Sequence, residues 1–512
     1  MHGWRAHPPT SCSPVVSSGV LNEEGLSVPD AFMETTLWEG ITSIGIPLAY
    51  ALGLVSAFDA VMHTRTAQGA TAWAIALALM PFLALPLYWI FGRSRFEDYL
   101  KALRGFDAEV DRRLIGAAPP RGLLAPPVPP SDPRSRGELL AFQNLSTHPF
   151  TRGNAARLLI DGDATFEAVF AGIEAAEDYI LAQFYIIRDD EIGRAFQRRL
   201  IEAARRGVRV YLLYDEVGSH SLPRRYVRKL KKAGVEVSGF SGKRSRLGRF
   251  RLNFRNHRKI VVVDGVKAYM GGLNVGDEYL GRDPKLSPWR DTHLAVTGPV
   301  VQGLQRSFLK DWYYGRRETP DLRWTPVLDD DRNALVLASG PADELETCGL
   351  LFMHAIESAE RRVWVATPYF VPDGRVLGAL QLAALRGVDV RVLMPRKSDN
   401  PLFKYVPYAY LPEVGEAGVK VYLYEEGFMH QKVLLVDDDY GAVSTANLDN
   451  RSFRLNFEVT CLVNDAGFCR EVAEMLEADF ARSTMLSHRM LAHRSFAFRF
   501  AVQTTRLLAP VL

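Results

Sequence analysis

The strongest constraint on this chain is a pattern of His, Lys, Asp and Asn that occurs twice with the same internal spacing. In both copies Lys lies two positions after His, Asp five after Lys, and Asn ten after Asp. An apolar, strand-like stretch separates Lys from Asp each time. The residues are His257, Lys259, Asp264 and Asn274 in the first copy, and His430, Lys432, Asp437 and Asn447 in the second. Two copies in register predict a duplicated protein with one two-part site.

The spacing also predicts where these side chains point. Alternate residues of an extended chain project to the same face, so His and Lys of each copy should point the same way. Asp264 and Asp437 fall at odd spacing from the Lys. We therefore interpret these two members of the signature as structural groups that accept hydrogen bonds at the strand end. Gly271 and Gly272 allow a tight turn that would bring Asn274 back towards the site.

Facing copies would gather two imidazoles, two ammonium groups and two amides, a set that suits a phosphodiester. One neutral imidazole can attack phosphorus, and the other, when protonated, can donate to the leaving oxygen. Imidazole titrates near neutral pH, which makes both roles accessible. Lys and Asn would stabilise the non-bridging oxygens. A metal site is the rival interpretation, but neither copy has clustered ligands at metal-binding spacing. We therefore predict no metal and no cofactor.

Longer phrases around the two copies resemble the bacterial cardiolipin synthases of the phospholipase D superfamily. The resemblance covers nearly all of the chain from about Leu37. The phrases that carry it are HRKIVVVDG, YMGGLNVGDEYLG, WRDTHLAVTGP, TPYFVPD, FMHQKVLLVDD and ANLDNRSFRLNFEV. The resemblance implies that two phosphatidylglycerol molecules condense to cardiolipin and glycerol, without metal, through a phosphatidyl-histidine.

The resemblance also implies roles for individual residues. His257 would be the nucleophile and His430 the acid/base, although the near-symmetry of the copies leaves this assignment reversible. Glu458 matches the family acid that orients the His of the second copy, and Asp291 is a candidate for its counterpart in the first. Ser444 stands where the family commonly has Gly, so it would be strained if its backbone needed positive φ.

Duplication extends beyond the motifs and predicts the fold. Residues 173–185 resemble 356–370, and residues 203–215 resemble 383–395. In both halves a Gly stands where a helix should end and a strand follow, at Gly207 and Gly387. We predict an α/β protein with two similar phospholipase D-like α/β/α lobes, related by a pseudo-twofold, after a two-helix transmembrane hairpin. The predicted parts are a disordered N-terminus (1–36), the hairpin (37–93), a linker (94–140), lobe 1 (141–330), lobe 2 (331–485) and a C-terminal amphipathic segment (486–512).

The hairpin prediction depends on two uncharged runs. Gly40 to Phe58 and Ala70 to Gly92 contain no charged residue, and each is near the length that spans a bilayer. Aromatic residues lie towards their ends, as in membrane proteins. A cleavable signal peptide fits poorly because a second run follows the first. A buried soluble hairpin is the other alternative.

Charge around the runs predicts the orientation. Four basic residues follow the second run. The connecting turn has Arg65, and the flank before the first run is acidic. The positive-inside rule then places both ends and the two lobes in the cytoplasm, with the chain multi-pass in the cell (inner) membrane. The basic residues are Arg93, Arg95, Lys101 and Arg104. The four Cys form no disulfide-like framework, which agrees with a reducing compartment.

A basic stretch from Arg224 to Lys259 indicates an anionic partner. Nucleic acid is one reading of such a run. In a membrane-anchored chain we favour phosphatidylglycerol, other anionic phospholipids and the bilayer surface, and we expect no nucleic acid. We predict that the part just before His257 is a loop over the site. The segment from about Leu486 is either an amphipathic helix on lipid or an ordinary docked helix. The sequence leaves the oligomeric state open.

Other functions compete with the synthase reading. Within the superfamily, a phospholipase D using water or another alcohol would carry the same motifs, and so would a nuclease. A catalytically inactive membrane scaffold is a further alternative, opposed by the intact His, Lys and Asn of both copies. The first residues are rich in Pro and Ser, and we hypothesise that translation starts at Met33.

Overall fold

The computed structural model describes residues 41–64, 66–92, 96, 98–103, 106, 133–146, 148–241, 253–399 and 405–507. Several predictions lie outside these residues. They are the disordered N-terminus, the start at Met33, the Pro-rich part of the linker, and the basic loop over 242–252.

Three apolar helices open the described chain, where two were predicted. They are α1 (Ile46–His63), α2 (Ala67–Leu79) and α3 (Pro81–Phe91). With the π-turn before it, α1 is part of a 22-residue helix, Thr42–His63, with a mean hydropathy of 1.7, long and apolar enough to cross a membrane. The second uncharged run is not one helix. It breaks at Met80, because Pro81 cannot donate the main-chain hydrogen bond that a continuous helix needs.

Strands of the first motif copy build one half of a central sheet, here called lobe 1. From the middle of the sheet outward their order is β1-β9-β7-β6-β2-β3-β4, while β5 and β8 are short outliers. The strands are β1 (Thr151–Ile160), β2 (Tyr179–Phe184), β3 (Arg209–Tyr214), β4 (Glu236–Gly239), β5 (Arg255–Asn256), β6 (Ile260–Val263), β7 (Lys267–Gly271), β8 (Trp289–Arg290) and β9 (Thr292–Thr297).

Strands of the second copy, lobe 2, repeat this order as β10-β19-β17-β16-β11-β13-β14, with β20 added at the edge. β1 and β10 pair antiparallel, which joins the lobes in one sheet and places the pseudo-twofold between them. The strands are β10 (Arg332–Ser339), β11 (Arg362–Ala366), β12 (Phe370–Val371), β13 (Asp389–Pro395), β14 (Lys420–Tyr424), β15 (Phe428–Met429), β16 (Val433–Val436), β17 (Tyr440–Ser444), β18 (Leu448–Asp449), β19 (Asn456–Asn464) and β20 (Ser483–Met485). The predicted duplication is confirmed.

Helices cover the sheet. They are α4 (Pro133–Leu145), α5 (Asp161–Glu174), α6 (Glu191–Arg205), α7 (Arg224–Lys232), α8 (Val301–Arg316), α9 (Thr347–Ser358), α10 (Gly374–Leu385), α11 (Val406–Ala409), α12 (Leu411–Glu416), α13 (Asn450–Arg454), α14 (Ala466–Ala481) and α15 (Phe496–Leu507), with 3-10 turns at Asp277–Leu280 and His488–His493. The sequence encodes the ends of the duplicated pair α6 and α10. Asp190 and Asp373 accept hydrogen bonds from the first turns, and Gly207 (φ 93°) and Gly387 (φ 91°) follow the last, as predicted.

The predicted linker over 94–140 needs correction where the structure describes it. Phe96, Tyr99, Leu103 and Phe106 are buried in the same core as strands of both lobes. Their spacing of three, four and three residues places them on one face of a helical turn. The chain that leaves the apolar helices therefore enters the protein core before its Pro-rich stretch.

The C-terminal segment docks on lobe 2 through one face of α15. Phe498 packs against the rings of Tyr405 and Tyr408, and Val502 is fully buried. The opposite face leaves Phe496 75% and Leu507 80% exposed.

Candidate active site

Two short parallel strand pairs bring the motif copies together. β5, which leads into His257, pairs with the start of β19, and β15, which leads into His430, pairs with β8. The register continues into the histidines, because His257 N donates to the Phe457 carbonyl at 2.9 Å and His430 N donates to the Arg290 carbonyl at 2.7 Å. Each motif is thus attached to a strand of the opposite lobe.

Because of this register, each acid lies beside the histidine of the opposite lobe. Glu458 follows Phe457, and both its oxygens lie 3.0 Å from His257 Nδ1. Asp291 follows Arg290, and its Oδ2 lies 2.8 Å from His430 Nδ1. The sequence identified both acids, but the predicted pairing of Glu458 with the second His and Asp291 with the first is wrong. Each acid lies nearer to its own motif in sequence, whereas the short strand pairs deliver it to the other one.

The crossed contacts fix the reactive atom of each ring. Burial would raise the pKa of Glu458, but His257 and Lys259 hold it at about 2. Burial likewise opposes the lowered pKa of Asp291, which results from His430 and Lys432. An ionised carboxylate can only accept, so Nδ1 of each imidazole must carry the hydrogen. When either ring is neutral, its Nε2 lone pair is the free nucleophilic or basic position.

Burial governs the charge of both rings. It lowers the pKa of His257 to about 4 and that of His430 to about 3, despite the nearby carboxylates. Lys432 adds to the lowering at His257, and Lys259 adds to the lowering at His430. Each half of the site therefore lies within the electrostatic range of the other, as one phosphodiester site requires. With these lowered pKa values both imidazoles are neutral at pH 7.

The carboxylates are held by groups that differ between the two halves. Thr445 Oγ1 donates to Glu458 at 2.6 Å, and Asn456 Nδ2 donates at 3.2 Å. Asp291 instead accepts from the Thr292 main chain at 2.8 Å and from the Trp289 indole at 3.3 Å. The fold therefore repeats while the immediate environment of the two acids does not.

The two lysines are buried beside their histidines. Nζ of each donates to the carbonyl of the His two residues earlier. In the first copy the Lys259 ammonium and the His257 ring both lie beside the Tyr185 ring, on the same side of the chain. Burial lowers the pKa of Lys259 well below its ordinary value and that of Lys432 to about 8. An arriving anion would reverse these shifts by stabilising the ammonium forms.

The two asparagines occupy different settings. Asn274 accepts from the Ile186 main chain and donates to the Tyr279 hydroxyl at 2.8 Å. Asn447 donates to Asp449 at 3.1 Å, and its buried Oδ1 has no hydrogen-bond partner among the residues that the structure describes.

Asp264 and Asp437 lie at the far ends of β6 and β16 from the histidines. Asp264 accepts from three successive main-chain N–H groups at the start of β2, at 3.0, 2.8 and 2.8 Å. Asp437 does the same before β11, at 2.8, 2.8 and 2.7 Å. Both adopt positive φ, 53° and 50°. The signature aspartates thus join neighbouring strands, which sets them apart from the histidines and lysines with which the signature groups them.

Sequence reasoning missed the residue between His and Lys in each copy. Arg258 is buried and donates to Asp311 at 2.7 Å, to the Glu458 carbonyl at 3.0 Å and to the Ser339 carbonyl at 2.9 Å. Gln431 donates to the buried Asp479 at 2.7 Å. The HRK and HQK triplets were the available signal, because a polar residue that alternates away from the site must satisfy its hydrogen bonds within the core.

Ser444 carries no positive-φ strain. Its hydroxyl lies 2.7 Å from Thr460 Oγ1 and accepts from the Ala446 main chain at 3.0 Å. The hydroxyl therefore stabilises the turn. Strain was expected only if Ser444 needed a positive φ, and its φ is not positive.

Fold and site together define a phospholipase D-like protein with two repeated domains. The solved structure of a phosphatidylserine synthase from Haemophilus influenzae aligns over 73% of this chain and 100% of its own, with a TM-score of 0.55 and 16% identity, which shows the shared fold.

Sequence comparisons show which family of phospholipase D-like proteins the chain matches. The domain family described as "Cardiolipin synthase, PLD-like domain" matches residues 169–312 and 352–483, and "Phospholipase_D-nuclease N-terminal" matches 51–93. Cardiolipin synthase A of Pseudomonas fluorescens is 47% identical over 91% of this chain and 98% of its own length. The corresponding protein of Pseudomonas aeruginosa is 46% identical over 94% and 97%. The chain belongs to the cardiolipin synthase family of phospholipase D-like proteins, as the motifs indicated.

Asp437 offers a test of the structural role of the signature aspartates. Asp437→Ala removes the acceptor of three main-chain N–H groups, so we expect a loss of about 2–4 kcal/mol in the free energy of unfolding. Asp437→Asn keeps one oxygen and tolerates positive φ, so it should lose less. The measurement is thermal melting with activity assayed well below both transitions. Full melting stability with lost turnover would instead assign Asp437 to the chemistry.

Glu458 offers a test of the crossed pairing. In Glu458→Gln, the amide can donate to His257 Nδ1, so His257 should move towards the Nε2–H tautomer while His430 keeps Nδ1–H. Nitrogen NMR of histidine-labelled protein at pH 7 reports both tautomers, with signals assigned from His257→Ala and His430→Ala. Asp291→Asn is the matched variant and should move only His430. A change at the other ring would contradict the crossing.

Proposed function

We propose that this protein is a cardiolipin synthase that condenses two phosphatidylglycerol molecules to cardiolipin and releases glycerol. It is a phosphatidyltransferase of the phospholipase D type. The observation that carries the proposal is the pair of buried histidines, each held at Nδ1 by a carboxylate of the opposite lobe. The family relatives, named cardiolipin synthase A, support this choice among phosphodiester reactions.

The first half-reaction uses His257 as the nucleophile. Its Nε2 attacks the phosphorus of one phosphatidylglycerol, the bond from phosphorus to the headgroup glycerol oxygen breaks, and a phosphatidyl-histidine forms. The leaving oxygen takes a proton from His430. Burial lowers the pKa of His430, but a bound phosphodiester anion together with Asp291 stabilises its imidazolium.

The second half-reaction reverses the proton movement. His430, now neutral, takes the proton of a headgroup hydroxyl of a second phosphatidylglycerol as that oxygen attacks phosphorus. The P–N bond breaks, cardiolipin leaves, and His257 returns to its neutral form. Lys259 and Lys432, with Asn274 and Asn447, serve as the groups that bind the non-bridging oxygens.

The apolar N-terminus supports a membrane anchor. Small residues of α1, Gly53, Ser56 and Ala60, face the neighbouring helices, whereas large ones such as Phe58, 70% exposed, face outward. This is the packing of helices surrounded by lipid. We propose that α1 spans the bilayer, that α2 and α3 return the chain, and that the lobes lie in the cytoplasm. Phosphatidylglycerol in that bilayer is then the local substrate.

The C-terminal helix supports a second lipid contact. Phe496 and Phe500 stack on each other on the exposed face of α15, and Arg494 and Arg499 flank them. No acidic residue occurs between 486 and 507. We propose that this face lies on anionic lipid while the opposite face stays docked on lobe 2.

Lipid products test the function directly. The full chain in liposomes with phosphatidylglycerol as the one phospholipid should yield cardiolipin and glycerol in equal amounts by mass spectrometry. His257→Ala and His430→Ala should each abolish transfer, whereas His220→Ala, at an exposed position, should leave it intact. Phosphatidic acid as the main product would make the protein a phospholipase that uses water. With a p-nitrophenyl phosphodiester, whose leaving group needs no proton, His430→Ala should still form the covalent adduct and His257→Ala should not.

The pKa of Lys432 predicts the pH above which activity falls, here called the alkaline limb of the pH profile. Its pKa of about 8 means that the ammonium is present below that pH and is lost above it. Because the charged form binds phosphate, kcat/KM should fall as pH rises through about 8. Lys432→Arg keeps its charge and should move this limb to higher pH, even if its maximal rate is lower. An unchanged limb in Lys432→Arg would remove Lys432 as its cause.

A further inference from the structure

The chain between the membrane helices and the Pro-rich stretch enters the core directly beneath the catalytic motif. We call residues 96–106, as far as the structure describes them, the entry segment. Phe96 is 6% exposed and Tyr99 4% exposed, although α3 ends only a few residues earlier. Phe96 lies four positions after Gly92, which limits the distance between their Cα atoms to about 14 Å.

The aromatic rings of the entry segment contact residues that flank the reactive pair. Phe96 stacks on Phe254, three residues before His257, with ring centroids 4.8 Å apart. Tyr99 packs on Phe457, the residue before Glu458, at 4.7 Å. The Phe96 main chain also donates to the Pro341 carbonyl at 3.3 Å. The segment therefore touches both lobes at the seam where His257 meets Glu458.

A chain of buried hydrogen bonds leads from the entry segment to this pair. The Tyr99 hydroxyl donates to Asp311 Oδ1 at 2.8 Å. Asp311 Oδ2 accepts from Arg258 at 2.7 Å, and Arg258 in turn donates to the Glu458 carbonyl at 3.0 Å. Arg258 is also the residue between His257 and Lys259 in the chain. One guanidinium thus connects the main chain of the proposed nucleophile to the main chain of the acid that orients it.

We propose that Tyr99 is a positioning residue of the active site, acting through Asp311 and Arg258 on the His257–Glu458 pair. The inference rests on the proposed role of this pair in phosphatidyl transfer. Asp311 Oδ2 already serves Gln183 and Asn256 at 2.7 and 2.8 Å, so the Tyr99 hydroxyl is the partner that fixes the other oxygen. Without it the carboxylate is held at Oδ2 and can tilt about that atom, which shifts the Arg258 guanidinium bound there. The membrane anchor and the catalytic pair then share one rigid support.

Tyr99→Phe tests this with the smallest possible change. In the full chain in liposomes, kcat should fall about tenfold while KM for phosphatidylglycerol changes less than about twofold, because alignment and not lipid binding is affected. Tyr179→Phe is the matched control. Tyr179 is also buried in lobe 1, and its hydroxyl donates to Gln305 at 2.7 Å, away from Arg258. Equal kcat in the two variants, below both melting transitions, would overturn the proposal.

A double-mutant cycle separates positioning from general stability. If Tyr99 acts through Arg258, the loss in Tyr99→Phe/Arg258→Lys should be smaller than the product of the two single losses. Tyr179→Phe combined with Arg258→Lys should show a simple product. Losses that multiply in both cycles would contradict the route through Arg258.

Two further measurements keep the test decisive. Phe96→Leu preserves the Tyr99 hydroxyl and weakens the stack on Phe254, so a smaller fall in kcat, about threefold, is expected even if Tyr99→Phe folds poorly. Turnover of a p-nitrophenyl phosphodiester is measured in parallel. A wild-type protein that cleaves this probe but makes no cardiolipin would contradict the proposed function, while the comparison of Tyr99→Phe with Tyr179→Phe on the probe still decides the present inference.

Discussion

The crossed contacts between histidines and carboxylates are the constraint on which the rest of the structure depends. An imidazole can be oriented for chemistry in a dry site only if its other nitrogen is held, and here each holder belongs to the other lobe. Neither lobe is complete alone. The two short strand pairs β5–β19 and β8–β15 exist at the seam because they deliver each acid to the opposite motif, and the antiparallel pairing of β1 with β10 keeps the halves in register.

Buried ion pairs and hydrogen bonds stabilise the seam between the lobes. Carboxylates and cations removed from water must be paired and fully hydrogen-bonded. Asp311 and Asp479 occupy matching places on α8 and α14, and each collects donors from around one motif. Asp479 takes Arg290, Gln431 and Arg482, whereas Asp311 takes Arg258, Gln183, Asn256 and Tyr99. The donors therefore differ between the two repeats, and in lobe 1 one of them, Tyr99, comes from the chain that follows the apolar helices.

Local patterns were sufficient for much of the architecture. The alternation around IVVVDG and VLLVDD, the glycines at 207 and 387 and the repeated phrases predicted strands, helix ends and duplication, because these depend on neighbouring residues. The partner of Glu458 depends on a strand pairing across some 200 residues, which no local period encodes. The entry segment was missed for a different reason. Phe96, Tyr99, Leu103 and Phe106 have helical spacing, but a long Pro- and Arg-rich stretch follows them. The composition of that stretch led to the prediction of a linker. Pro81 indicated a possible kink in the second run, and the structure has a full break at Met80, because proline is favoured at the first position of a helix.

Burial sets the charges of the histidines and lysines and makes those charges sensitive to a bound anion. Removal from water lowers the pKa values of both imidazoles and of Lys259 and Lys432. The two acids, Glu458 and Asp291, stay ionised. In the proposed reaction, a phosphodiester anion between the motifs would stabilise the protonated lysines and the His430 imidazolium that donates to the leaving group. His430, the proposed proton donor, therefore acquires its charge when an anion binds, whereas Lys432 is already largely protonated at pH 7. Because Phe96 follows Gly92 by four positions, this seam lies a short stretch of chain away from the apolar helices, which we propose to be the membrane anchor.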